Sequence, residues 1–221
     1  MLTREAGQPD RVLVAVADGM GGHNAGEVAS AIAVEALGRF DASSGLSSAV
    51  EQANAAIWEA ACADIEKEGM GTTLVCALVA GSGEVTVANV GDSRAYTVTG
   101  GRARLVTVDH TWVTDQVVSG QLTEDEARHS PYRHLLTRSL GATPRVQVDV
   151  FGGLRLEPGD ALVLCSDGVT TYLEEADVSQ VLDQSPSAQQ AAERLVTLAV
   201  RRGGADNATA VVVRRTGGRE D

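Results

Sequence analysis

Apolar residues run without a break from Val12 to Ala17, the pattern of a strand buried on both faces. A Gly-rich turn follows. Asn24 and Glu27 then stand at capping-box spacing, which predicts a helix over Ala25 to Leu37. The Ser/Gly stretch Ser43 to Ser48 breaks that pattern before a second Ala-rich helix, placed at Ala49 to Glu66. Short strands come next, at Thr72 to Ala80, Glu84 to Val90, Arg94 to Val98 and Arg102 to Val108. Turns of hairpin character (GSG, GDS and TGG) separate them. From Thr111 to Leu140 the chain is polar and only partly helical, and it reads as a surface excursion. Strands resume at Val146 to Val150 and Ala161 to Cys165. Ser185-Pro186 signals a helix whose face is Ala188, Ala192, Leu195 and Ala199, and Ala208 to Val213 reads as a final buried strand. No repeat or linker interrupts the 221 residues. The order predicts one domain, residues 1–221, of class α+β, with helices packed outside mainly antiparallel sheets.

Composition narrows the function classes. Aromatics are only 3% against 43% hydrophobic residues, so the core rests on small and branched aliphatic side chains. A net charge of −12 argues against a nucleic-acid face, which needs a basic patch. No apolar run reaches membrane-span length and no signal peptide opens the chain, so the expectation is a cytoplasmic protein with no membrane partner. Cys62, Cys76 and Cys165 lie in apolar surroundings without C-x-x-C spacing and are expected to be reduced core residues.

Three carboxylates sit at the ends of apolar strands: Asp18 in VADGMGG, Asp167 in VLCSDG and Asp206 in GADNATAVVV. Brought together they would repel, and divalent cations with a preference for oxygen, Mg²⁺ or Mn²⁺, are the fitting partners. Each motif has a plainer reading as a turn. A dinucleotide fingerprint fails because its third glycine would fall on Asn24, and a P-loop fails for want of Gly-Lys-Ser/Thr. The joint order is more specific: the three acids with Gly69-Met70-Gly71-Thr72-Thr73 and Gly91-Asp92-Ser93-Arg94 between them.

In that order the chain resembles the metal-dependent serine/threonine protein phosphatases, type 2C, from about Val12 to Val213. The GDSRAY, DHTWV and EPGDALVLCSDG segments are similar to bacterial members that oppose serine/threonine kinases. The resemblance implies a four-layer α-β-β-α sandwich with two metal ions at one edge, and a third, weaker one as in bacterial relatives. It implies Asp18 bridging two ions, Gly19 contributing its carbonyl, Asp167 and Asp206 as further ligands, and Asp92 sharing a weaker ion with Asp167. A water between two cations would lose its proton near neutral pH and attack phosphorus without a phospho-enzyme. His23 is a candidate general acid, with a structural role at a helix start as its rival. Arg128, Arg133 and Arg138 fall in the family's flap, where solvated loop charge is the plainer reading.

One departure qualifies the expectation. The family carries an upstream strand with a phosphate-holding Arg and an Asn-Glu-Asp or Asn-Gln-Asp run. MLTREAGQPD has neither pattern, and that role is not transferred to Arg4 or Arg11. The sandwich is therefore expected to lack its first N-terminal strand and to be less stable and less active for it. The leading reading is a monomeric phosphatase acting on phosphoserine and phosphothreonine in proteins. Its alternatives are a pseudophosphatase that docks phosphoproteins and a phosphatase dedicated to an anti-sigma-factor antagonist.

Overall fold

The computed structural model describes the backbone of residues 2–4 and, in full, residues 11–21, 25–40, 45–204 and 206–217. Among them one sheet contains β1 (Leu2–Arg4), β2 (Arg11–Val16), β5 (Leu74–Ala80), β6 (Glu84–Val90) and β9 (Asp149–Arg155) in that spatial order. A second contains β11 (Ala210–Arg214), β10 (Ala161–Cys165), β7 (Arg94–Thr99) and β8 (Arg102–Leu105). All their pairings are antiparallel. A two-stranded ribbon pairs β3 (Gly19–Met20) with β4 (Gly71–Thr72).

Period-two alternation assigns each side chain to a layer. On β2, Leu13 and Ala15 pack toward α1 (Ala25–Leu37) and α2 (Leu46–Ala63), while Val14 and Val16 point into the space between the sheets. There they meet Val75, Ala77, Leu162 and Leu164. On β10 the other face, Ala161, Val163 and Cys165, packs against α5 (Asp167–Thr170), α6 (Glu175–Asp183) and α7 (Ala188–Arg201). A continuous apolar run is thus what a strand between two packed layers requires, and the expected four-layer α-β-β-α sandwich is present. Fully burying one such Val or Leu contributes about 1.5–3 kcal/mol. No helix among the described residues is long and apolar enough to cross a membrane.

Several boundaries differ from expectation. Leu2–Arg4 forms an edge strand, Leu2 facing Val14, where no strand is legible in so short a polar stretch. β9 was expected at Val146 to Val150 but runs to Arg155 through Gly152-Gly153. The neighbouring strand shifts register between Val85 and Val87, and the sheet edge tolerates Gly153 at a φ of 73°. β11 is half-buried rather than buried, because it lies at an edge. Cys62 is exposed near the end of α2, on the face turned from the core, whereas Cys76 and Cys165 are buried. Asn24, and with it the predicted cap of α1, lies outside the described residues, as do residues 41–44.

The excursion 111–140 comprises α3 (Trp112–Val118), capped by the Thr111 side chain, and α4 (Glu124–His129), with a full Thr123/Glu126 capping box. Its ends are stitched to each other and to the sandwich. Trp112 N–H donates to Leu135 O (2.8 Å), Thr137 N–H to His110 O (2.9 Å) and Leu140 N–H to Thr72 O (2.9 Å). The Trp112 and Tyr132 rings meet edge to face, 5.5 Å apart. Buried Asn54 fastens α2 to the returning chain, accepting from Gly141 N–H (2.9 Å) and donating to Thr143 O (3.0 Å).

Candidate metal centre

Asp18 follows β2 directly, and its backbone is clamped to the turn after β4. Thr73 N–H donates to Asp18 O (2.9 Å), while Asp18 N–H donates to Thr73 Oγ1 (3.1 Å). Thr73 Oγ1 shares a further hydrogen bond with Ser93 Oγ (2.7 Å), so the three motif segments interlock through one threonine. Gly19 is required by the helix beside it: a Cβ there would lie 2.0 Å from Gly26 O of α1.

Asp92 occupies the turn between β6 and β7 and is only 8% exposed. Gly91 before it has φ 103°, and a Cβ on it would stand 2.7 Å from Thr73 Cβ. Gly91 N–H donates to His110 Nδ1 (3.0 Å), so Nδ1 carries no proton and Nε2–H faces Asp149 Oδ2 (3.2 Å). Burial holds His110 below its ordinary pKa, only partly opposed by the Asp149 hydrogen bond, and this keeps the ring neutral. Burial alone would raise Asp149, but hydrogen bonds from Arg138 (2.7 Å) and His110 hold it low. Arg138 is therefore a paired structural cation rather than a solvated flap charge. Arg94, the cation next to Asp92 in sequence, is forked onto Asp109 by Nε (2.9 and 3.1 Å) and by an Nη (2.6 Å).

Asp167 opens α5 at the end of β10, and its carboxyl group meets that of Asp18. Burial, then Asp167, then the more distant Asp206 and Asp92 push the Asp18 carboxyl up to about 7. Asp92 is also pushed up to about 7, by burial first and then by Asp167 and Asp109. Such shifts are what carboxylates show when charge accumulates without a counterion, and an all-oxygen donor set of this kind suits Mg²⁺ or Mn²⁺. Asp206 reaches the cluster electrostatically, but it is exposed, and among the described residues its Oδ1 accepts only from its neighbour Asn207 N–H (2.7 Å). The chain after it is pinned: Thr209 N–H donates to Ser166 Oγ (3.0 Å), and Gly168 lies so close to Asn207 O that a Cβ would come within 2.3 Å.

Asp18, Asp92, Asp167 and Asp206 are thus brought within electrostatic reach of one another at one rim of the sandwich, with Gly19 adjoining Asp18 in the chain. His134 joins them from the excursion, its Nδ1 3.4 Å from Asp167 Oδ2, and ligand atoms of Asp92, His134 and Asp167 all lie within 4.8 Å of one another. Neither His134 nor His110 is legible as a site residue, since each sits in an aperiodic segment and meets its partners only across the fold. His23 lies outside the described residues. The rim opens onto a groove of about 1120 Å³, lined by Asp92, His134 and Asp167 on one side and by Arg128, Arg133 and Arg202 elsewhere. Arg128 and Arg133 are exposed there, Arg128 3.8 Å from Glu124 and Arg133 donating to Ser130 O (3.4 Å). No described cysteine lines the groove, and burial pushes the Cys76 and Cys165 thiols up to about 12.

The family model for protein phosphatase 2C matches residues 5–199. The chain belongs to the protein phosphatase 2C family. Among its relatives, the serine/threonine phosphatase Stp of Listeria innocua is 36% identical over 214 residues, covering 92% of this chain and 84% of that one. The crystal structure of the serine/threonine phosphatase Stp1 from Staphylococcus aureus superposes with a TM-score of 0.88 at 33% identity, over 98% of this chain and 88% of that one. The catalytic domain of the protein phosphatase PstP, solved with two manganese ions, superposes with a TM-score of 0.78 at 33% identity, over 96% of this chain and 94% of that one. The 2C fold therefore extends through both sheets and the helices outside them.

Proposed function

We propose that this chain is a metal-dependent protein phosphatase that hydrolyses phosphoserine and phosphothreonine esters in proteins. The observation that carries the reading is the crowding of Asp18, Asp92 and Asp167, the last two lining the groove, with Asp206 in reach and no ion pair from Lys or Arg to any of the four among the described residues. The names of the 2C relatives and the manganese-bound PstP domain support it.

In this reading Asp18, the Gly19 carbonyl, Asp167 and Asp206 hold two divalent ions, Mn²⁺ or Mg²⁺, and Asp92 shares a third with Asp167. Bound there, the ions would supply Lewis acidity toward the phosphoryl oxygens and lower the pKa of coordinated water. The protein contributes position. Thr73 fixes the Asp18 backbone, His110 fixes the turn that presents Asp92, and the two sheets keep the carboxylates together against their repulsion. Arg128 and Arg133 offer positive charge to a phosphopeptide lying in the groove, against the net negative charge of the chain. The catalytic unit is residues 1–221 as one domain with 111–140 as its flap, working as a cytoplasmic monomer against a bacterial serine/threonine kinase.

The test is hydrolysis of a phosphothreonine peptide with Mn²⁺, with Mg²⁺ and with EDTA, using the wild type and Asp18→Asn. Turnover that needs the ion and disappears in the variant is expected. Turnover indifferent to chelation sinks the reading, and a folded chain that binds ions and phosphopeptide without turnover turns it into a binding module.

A further inference from the structure

We infer that His134 is a metal ligand, completing with Asp92 and Asp167 a mixed nitrogen–oxygen site that prefers a first-row transition ion to Mg²⁺. The inference rests on the reading that Asp92 and Asp167 share a peripheral ion, and adds to it a ligand of a different chemical kind.

Three observations support it. The ligand atoms of the three residues lie within 4.8 Å of one another. Donors about 2.1 Å from an octahedral ion stand about 3 Å apart when adjacent and about 4.2 Å when opposite; the 3.4 Å between His134 Nδ1 and Asp167 Oδ2 is close to the adjacent spacing, and Asp92 must draw in to complete the set. Asp92 is also a carboxylate more than nine-tenths buried that faces this group, and among the described residues it has no ion pair with Lys or Arg, because the Arg94 guanidinium is spent on Asp109. Finally, His134 is presented by a fastened strap. Leu135 O accepts from Trp112 N–H on the residue after it, Thr137 N–H is bonded to His110 O, and Tyr132 rests against Trp112. His110 is thereby tied both to the strap that carries His134 and to the turn that carries Asp92, so the two sides of the site share one anchor.

Among the described residues, the other two histidines lack this disposition. His110 is occupied at both nitrogens, and His129 bonds to Asp125 O on its own helix. Among the described residues no partner besides Asp167 competes for the His134 ring, which is half-exposed at 45%. Imidazole is a poor ligand for Mg²⁺ and a good one for Mn²⁺, Co²⁺ or Zn²⁺, so a nitrogen here biases the position toward transition ions while the carboxylate positions stay indifferent.

The experiment uses the full chain loaded with Mn²⁺, ions counted by equilibrium dialysis, and pulsed electron paramagnetic resonance to detect ¹⁴N coupled to manganese. The expected result is nitrogen coupling in the wild type once the weakest site fills. In His134→Gln, whose position is exposed enough to leave the melting temperature unchanged, that coupling disappears and the weakest ion is lost. Two or three bound ions with no nitrogen coupling overturn the inference while leaving the phosphatase reading intact, and reduce His134 to an ion pair with Asp167. Coupling that survives in His134→Gln overturns it as well, assigning the nitrogen to another residue. A chain that binds no Mn²⁺ overturns this inference and the metal-dependent reading together.

Discussion

The turn that carries Asp92 and the turn that carries Asp206 hold their acids in opposite ways. Around Asp92, Gly91 is bonded to His110 through both its amide and its carbonyl, Asn89 donates to Gly91 O (3.3 Å), and Ser93 meets Thr73. Around Asp206 the backbone downstream is pinned to Ser166 and Gly168, yet among the described residues the carboxylate itself is held only by the next amide of its own turn. A buried carboxylate without a counterion is costly, so the Asp92 side must be over-determined to keep it there. An exposed carboxylate costs little and needs no such frame. One flank of the rim is therefore preorganised, and the other is free to adjust to what binds.

Asp18→Asn should give the largest effect, because Asp18 belongs to the framed side and faces the other three acids. Metal-dependent turnover should fall by more than about a hundredfold, beyond the 10–100-fold typical of residues that merely orient ligands. Steady-state hydrolysis of a phosphothreonine peptide in saturating Mn²⁺ measures it, and a loss under tenfold would place Asp18 outside the reacting centre.

His110→Ala should weaken the frame itself. It leaves the Gly91 amide without its acceptor in a buried turn, at a cost of about 1–3 kcal/mol in urea unfolding. It should also lower occupancy of the weakest ion without touching the tighter pair. Unchanged stability would mean that the Asp92 turn is held by Thr73 and Asn89 alone.

A smaller effect of opposite sign is expected from pH and from Asp92→Asn. The carboxyls of Asp18 and Asp92 are raised from 3.8 to about 7 in the folded chain, so the fold holds their protons more tightly than the unfolded chain does. Their contribution to stability is complete below about pH 4 and is lost as pH rises through about 7. Thermal unfolding in EDTA should thus show declining stability across that window, and Mn²⁺ should restore it most at the alkaline end. Asp92→Asn should make the metal-free chain more stable at pH 8 while turnover falls. A metal-free melting temperature that rises from pH 5 to 8 would contradict the charge crowding.

Asp206→Asn should have the smallest effect on the fold, within about 0.5 kcal/mol, as for an exposed substitution. Ion affinity, read by calorimetric titration, should still fall. Destabilisation as large as that of His110→Ala would erase the difference between the two flanks.

Much of the architecture was legible before any coordinates. Strand-length apolar runs bounded by Gly turns predicted the sheets, and α1 begins and ends where periodicity placed it. Asp18, Asp92, Asp167 and Asp206 stood out because each borders an apolar run within a distinctive motif, Asp206 just ahead of its strand and the others just after theirs. What periodicity missed has local causes. Phe151-Gly152-Gly153 lies beyond the predicted strand end at Val150 but continues an edge strand through a register shift. Cys62 lies in an apolar stretch, yet the helix turns it outward. α6 has a mixed sequence, EADVSQVLD, in which only Val178, Val181 and Leu182 are buried.

By itself the sequence determined helices outside mainly antiparallel sheets and marked Asp18, Asp167 and Asp206 at strand ends, because burial period and strand ends are properties of neighbours along the chain; the four layers and Asp92 came from the resemblance to the 2C family. The tertiary structure alone decided which polar groups meet. His134 reaches Asp167 across 33 positions, His110 finds Gly91 across 19 and Asp149 across 39, and Thr73 joins Asp18 across 55. Such contacts follow from how two sheets stack and where an aperiodic strap is tied down, and no local pattern of residues encodes that distance.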